Sequence, residues 1–246
     1  MSYRSVKDIA YPEKKREYGN WLVYSIILRK VSIFITLFFV KTGISPNFVT
    51  LLSFSIGLAG MFYLYLGEFV EGAVIVAFWK LFDCVDGEVA RISERFSPIG
   101  NILEMLNSNS QYLFLVPSVA AGLLRQNYIS VEALFLSFIA MGVFVSIRNF
   151  YNKKINHNED VSFWKEVVYC QFKSSGVLRQ KNRVGGYIYY FRYNLIAQNG
   201  IIYPALIICA FLGVFWLKIF IIAFSILYFV FFLITFLGIC FIKLPE

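Results

Sequence analysis

Asp83 and Asp86 stand three residues apart in the run DCVDGEVAR, inside an otherwise apolar segment. Each charge costs about 2.5 to 3.5 kcal/mol at the centre of a membrane helix, so the pair needs compensation, and a bound cation is the leading agent. Asp83, Asp86, Gly87 and Ala90 recur at spacings of three and four, which lines them along one helix face with no bulk beyond the carboxylates. Close by, Arg91 presents a planar fork that pairs phosphate oxygens. Gly100, Glu104, Asn107 or Ser108, and Gln111 form a second polar stripe, joined to the first by a turn of a few residues. The two stripes are expected to face each other across one cavity. Carboxylate-rich oxygen sites with open positions suit Mg2+ or Mn2+, and Asp83, Asp86 and Glu104 supply three such ligands. A plain ion pair with Lys80 explains Asp83 alone, but not Asp86, Arg91 and Glu104 together.

The elements that hold these residues belong to a membrane protein. Of 246 residues 59% are hydrophobic and only 15% are charged, with a mean hydropathy of +0.65. Six stretches reach the roughly 20 apolar residues that a crossing needs. They are Phe48 to Leu66, Val70 to Ala90, Pro98 to Leu124, Ser130 to Ile147, Asn194 to Leu212 and Ile219 to Ile242. Residues 19 to 42 are interrupted by Arg29 and Lys30, and Ser25, Arg29, Ser32 and Thr36 make one polar stripe on an apolar cylinder. That pattern reads as an amphipathic helix at the interface, with a seventh span as the alternative. The fold class is therefore all-α: a polytopic membrane protein of six transmembrane helices behind an N-terminal interfacial helix. Residues 1 to 46 form the cytoplasmic N-terminal segment and 47 to 246 the membrane domain, with a long loop at about 148 to 192.

Ser45-Pro46 and Ser97-Pro98 each offer a serine N-cap followed by proline at the first helical position, fixing the starts of the first and third spans. One side then collects eight Lys or Arg up to Lys41, Arg91 and Arg95, nine more in the 148 to 192 loop, and Lys243. The other side has little beyond Arg125 and Lys218. The positive-inside rule makes the first side cytoplasmic, and the motif opens toward it. The net charge of +8 is thus a topology signal, and no nucleic-acid partner is expected. Cys84, Cys170, Cys209 and Cys240 lack metal or disulfide spacing, and the polar N-terminus lacks the apolar core of a signal peptide.

Taken together, the residues resemble the CDP-alcohol phosphatidyltransferases. That family's signature is D-x-x-D-G-x-x-A-R, then eight or nine residues, then G-x-x-x-D-x-x-x-D. Asp83, Asp86, Gly87, Ala90, Arg91 and Gly100 fall on it with a gap of eight. SPNFVTLLSFSIGLAG, residues 45 to 60, is similar to the stretch preceding the signature, with Asn47 and Thr50 at matching places. The close resemblance covers about residues 45 to 124. It implies six transmembrane helices after an interfacial helix, in many members as a homodimer, with a site open to the cytoplasm. The reaction it implies displaces CMP from a CDP-linked donor by an acceptor hydroxyl, a phosphoryl-type transfer in which metals offset developing charge. On this resemblance Asp83, Asp86 and Glu104 hold metal, Asn47, Gly87, Ala90 and Arg91 contact the nucleotide diphosphate, and Thr50 and Gly100 join them as substrate-binding residues.

Two positions depart from the signature: Glu104 replaces the third aspartate and Ser108 the fourth. Glutamate keeps the charge. Serine cannot act as a general base at neutral pH and is a weak ligand, yet Ser108 occupies the position where the family deprotonates the acceptor. Either the acceptor needs no base, or Glu88 or Glu104 takes the proton, or the chain is a degenerate relative that binds nucleotide or lipid without turnover. Retained activity is the expectation, because acidic residues are costly to keep in a membrane. The expected acceptor is an alcohol, lipid or glycan intermediate. A transporter is disfavoured: there is no inverted repeat, and the acidic pair lies toward one end of its span. Weaker features are a surface helix at 161 to 172, a solvated His157, and a possible acceptor wall from Arg192, Asn194 and Gln198.

Overall fold

The computed structural model describes residues 23–156 and 202–241. The N-terminal 22 residues and the stretch 157–201, with His157, the 161 to 172 segment, Arg192, Asn194 and Gln198, lie outside the described residues. All regular structure among the described residues is helical. The helices are α1 (Val23–Thr42), α2 (Pro46–Leu66), α3 (Phe69–Ser93), α4 (Pro98–Arg125), α5 (Val131–Asn156), α6 (Ile202–Leu212) and α7 (Val214–Phe241).

The predicted starts hold because their capping chemistry is satisfied. The Ser97 hydroxyl accepts the Gly100 N–H at 2.9 Å, and the Ser45 hydroxyl accepts the Phe48 N–H at 3.3 Å. Helix ends follow equally local rules. In α1, Ile44 N–H donates back to the Phe39 carbonyl and Gly43 N–H to Val40, with Gly43 in the left-handed region at φ +71°. Gly67, at φ +90°, closes α2 in the same way. Glu94, at φ +54°, begins the four-residue turn from α3 to α4.

Two boundaries differ from expectation. Helix α5 continues to Asn156, where the sequence suggests an exit at Ile147, because NFYNKKIN contains no proline or glycine to stop it. Helix α7 begins at Val214, one residue after α6, so Lys218 lies in a helix rather than in a loop; Gly213 alone makes the turn, at φ +103°. By length and composition α2 is long and apolar enough to cross a membrane, while Val131–Val143, Ile202–Leu212 and Val214–Val230 are shorter apolar helical stretches.

Packing divides the described residues into two units: 23–60, 74–108 and 202–205 in the first, and 61–73, 109–156 and 206–241 in the second. In the first, α2 and α3 approach so closely that a Cβ on Gly57 would fall 2.2 Å from the buried Trp79 ring. Phe39, Val49, Val85 and Val89 form an apolar cluster that joins α1, α2 and α3. In the second, a Cβ on Gly122 would fall 2.0 Å from the Leu64 carbonyl oxygen, and α5 packs along α7. Small residues at such crossings allow the near backbone contact that apolar surroundings reward.

The polar stripe of α1 is not turned outward. Ser32 and Thr36 are fully buried, while Phe34 and Phe38 on other faces are 64% and 60% exposed. Both hydroxyls reach Glu88 on α3, at 2.6 and 2.7 Å. Helical periodicity reveals the stripe but not its partner.

Candidate active site

The first unit holds an open cleft of about 500 Å3 between the start of α2, the end of α3 and the start of α4. Helix α2 contributes Asn47 and Thr50. Helix α3 contributes Asp86, Gly87, Ala90 and Arg91. Helix α4 contributes Gly100, Asn101 and Glu104, and the intervening turn adds Arg95, Phe96 and Ser97.

Each position follows from local constraints. Ser97 caps α4 and also bonds the Asn47 side chain at 3.1 Å, tying the entries of α2 and α4 together. A Cβ on Gly100 would come within 2.7 Å of Asn47 Oδ1, so glycine there leaves room for the asparagine. The Arg91 guanidinium folds back over Gly87, where an added Cβ would lie 3.1 Å from Nη1. Asp86 is buried; its Oδ1 accepts the Gly87 N–H at 2.5 Å, while the nearby Thr50 hydroxyl donates to the Pro46 carbonyl at 3.2 Å. Its other oxygen, Oδ2, is buried without a hydrogen-bond partner. Two guanidinium groups and two carboxylates therefore share one opening, a set able to take an anion and a cation side by side.

This arrangement coincides with a sequence relationship that covers it entirely. The family model for CDP-alcohol phosphatidyltransferase matches residues 43–216. The chain belongs to that family. Two relatives share 30% identity with it: the inner membrane protein YnjF of Escherichia coli, over 122 residues, and an uncharacterized protein of Aquifex aeolicus, over 105. The matches take in 44% and 42% of this chain, and 57% and 52% of those proteins, so the chain spans about half the length of the curated relatives it matches.

Of the residues expected from the CDP-alcohol phosphatidyltransferase signature, Asn47, Thr50, Asp86, Gly87, Ala90, Arg91, Gly100 and Glu104 line the cleft. Asp83 and Ser108 do not. Lys80 Nζ donates to Asp83 Oδ2 at 2.5 Å, and Asn107 Nδ2 donates to Asp83 Oδ1 at 3.0 Å. Asn107 is itself fully buried, accepting the Trp79 indole N–H at 2.7 Å and donating to Ser53 at 3.3 Å. Its carbonyl oxygen accepts from Trp79, and the residue does not line the cleft. Glu88, the other candidate base, does not line the cleft: it is fully buried, and Ser32 and Thr36 donate to its two oxygens.

Among the described residues no three acidic, histidine or cysteine side chains are grouped closely enough to enclose a metal ion. The donor chemistry nonetheless fits a divalent cation of the kind this family generally uses. An orphaned, buried carboxylate oxygen is expensive unless a cation completes it, and Asp86 Oδ2 lies in the same cleft as the exposed carboxylate of Glu104. Arg95, Phe96 and Asn101 are cleft residues outside the motif; for Arg95, which the sequence places only in the topology signal, its position four residues after Arg91 is the available clue.

Proposed function

We propose that this protein is a multi-pass integral membrane transferase that moves a phosphatidyl or other phosphoalcohol group from a CDP-linked donor to an alcohol acceptor, releasing CMP. Phospholipid or cell-envelope glycan synthesis would use such a step. The observation that carries this reading is the orphaned carboxylate oxygen of Asp86, a residue that lines one cleft with Glu104, Arg91 and Arg95. Membrane residence is supported by the apolar α2, by the exposed phenylalanines of other helices, and by one relative's name as an inner membrane protein. Six spans, a cytoplasmic cleft and a homodimer complete the proposal, the first two resting on the charge distribution and the last on the resemblance.

In this reading Arg91 and Arg95 pair with the donor diphosphate, and Gly87 and Ala90 keep the helix surface low enough for it to approach. Asn47 and Gly100 border the same space at the mouth of α4, with Thr50 beside Asp86. Asp86 and Glu104 would hold Mg2+ or Mn2+, while Asp83 is held by Lys80 and Asn107 outside the cleft. Bound there, the ion would offset charge on the transferring phosphoryl group. The acceptor oxygen bonds to the phosphorus that carries the donor alcohol, the bond from that phosphorus to the bridging oxygen breaks, and CMP leaves with the electron pair. Glu104, exposed at the cleft mouth, takes the acceptor proton on its carboxylate, a role that Ser108 cannot fill.

The test is CMP release by the purified protein with Mg2+ or Mn2+ across a panel of CDP-alcohols and acceptors. Wild type is expected to release CMP, and Asp86→Asn to lose at least about 10- to 100-fold. Nucleotide binding without any CMP, combined with turnover created by Ser108→Asp, would instead establish a degenerate binding protein.

A further inference from the structure

The turn between α3 and α4 carries the most exposed large apolar side chain among the described residues, Phe96, at 72%. It stands between Arg95 and Ser97 on the wall of the cleft, outside any helix. Local structure gives the ring no partner. Phe96 directly precedes Ser97, whose hydroxyl caps α4 by accepting the Gly100 N–H at 2.9 Å. An apolar residue in that place commonly packs against the fourth residue of the helix, stapling the entering chain to the first turns. Here the fourth residue is Asn101, a polar side chain that also lines the cleft. The staple lacks its apolar half, and the ring stays uncovered. Ser97 meanwhile ties the turn to α2 through the Asn47 side chain at 3.1 Å, so the ring is presented from an anchored position beside two guanidinium groups.

Aromatic side chains also anchor helix ends at headgroup level, but that role favours Trp and Tyr and does not call for a ring on the wall of a polar cleft. A flat heterocycle carried by a phosphate ligand answers better to what is exposed here. Nucleotide bases stack on aromatic faces, and a carboxamide offers a donor and an acceptor to their edges. We infer that Phe96 is the platform on which the pyrimidine base of the donor stacks, with the Asn101 carboxamide at the edge of that base. The inference rests on the transferase reading for the choice of a cytidine nucleotide. It makes the α3–α4 turn a determinant of donor recognition and leaves the phosphates to Arg91 and Arg95.

Calorimetric binding to the full-length protein in nanodiscs, with Mg2+ present, separates base from phosphate through two probes, CMP and inorganic pyrophosphate. Phe96→Leu keeps an apolar side chain but removes the π face, whereas Phe96→Trp keeps both. CMP should bind about 5- to 50-fold more weakly to the leucine variant, and within about threefold of wild type to the tryptophan variant. Inorganic pyrophosphate should bind all three proteins alike. The introduced indole should also be quenched by CMP, beyond any change in the chain's own four tryptophans, and not by pyrophosphate. Asn101→Leu completes the staple and draws the ring down, so it should weaken CMP and spare pyrophosphate. CMP affinity indifferent to Phe96→Leu would overturn the inference and leave the ring as an interface anchor. Equal losses of CMP and pyrophosphate would overturn it as well, because the whole turn would then have moved. A wild type that binds pyrophosphate but no CMP removes both this inference and the CDP-linked reading. If CMP is bound through Phe96 but never released from a CDP-alcohol, the platform stands and only the transferase reading falls.

Discussion

Asn107 offers the most direct test of how the acidic helix is held. Asn107→Leu keeps nearly the same side-chain volume while deleting three bonds, to Trp79 Nε1, Asp83 Oδ1 and Ser53 Oγ. The indole N–H and the carboxylate oxygen then lose their partners in a buried region, at about 1 to 3 kcal/mol for each group. Polar contacts between membrane helices average nearer 0.6 kcal/mol, so the lower end applies and the expected loss is about 2 kcal/mol. Asn107→Ala removes the same bonds and also leaves a void, bringing its loss to about 3 to 4 kcal/mol. For a chain of this size each kcal/mol lowers the melting midpoint by about 2 to 4 °C, so the leucine variant should melt about 4 to 8 °C early. Thermal unfolding in detergent, followed by tryptophan fluorescence, measures both variants. A leucine variant that melts within about 1 °C of wild type would refute the account, because Trp79 and Asp83 would then have found equivalent partners.

Three further outcomes follow from the same geometry. Gly57→Ala drives a Cβ into the Trp79 ring and should cost about 1 to 3 kcal/mol in thermal unfolding; combined with Asn107→Ala the losses should be less than additive, since both displace Trp79. Gly100→Ala crowds the tip of Asn47 and, less severely, the capping Ser97 hydroxyl, so the donor KM should rise with a loss of stability no larger than that of Ser97→Ala. Ser97→Ala loses the α4 cap and a partner of Asn47, so it should lower stability by about 1 kcal/mol and also raise the donor KM.

Much of the fold was legible because it is written locally. Ser-Pro pairs announce helix starts, and the motif residues fall on one face by spacing alone, so eight expected site residues share a cleft. What sequence reasoning missed depends on pairing across distance. Glu88 lies 56 residues from Ser32 and 52 from Thr36, and no periodicity states which helix a polar stripe will meet. Signature spacing drew attention to Ser108, whereas the neighbouring Asn107, about 100° around the helix, is the residue that turns toward Asp83. For Asp83 the sequence permits both metal and Lys80, because one turn of helix puts the ammonium within reach. The present geometry shows the ion pair.

The hold of α1 on Glu88 also bears on the order in which the chain is built. Asp83, Asp86 and Glu88 lie within six residues of one helix, and together they make bilayer entry unfavourable by about 7 to 10 kcal/mol if nothing receives them. Synthesis proceeds from the N-terminus, so the hydroxyls of Ser32 and Thr36 exist before Glu88 emerges, while Asn107 follows Asp83 by 24 residues. The partners of Glu88 are thus waiting, as is Lys80 for Asp83, and only the Asn107 bond arrives late. Deleting α1 should therefore disturb not only the finished site but the insertion of α3 itself, and the defect should already be visible in nascent chains that end before α4.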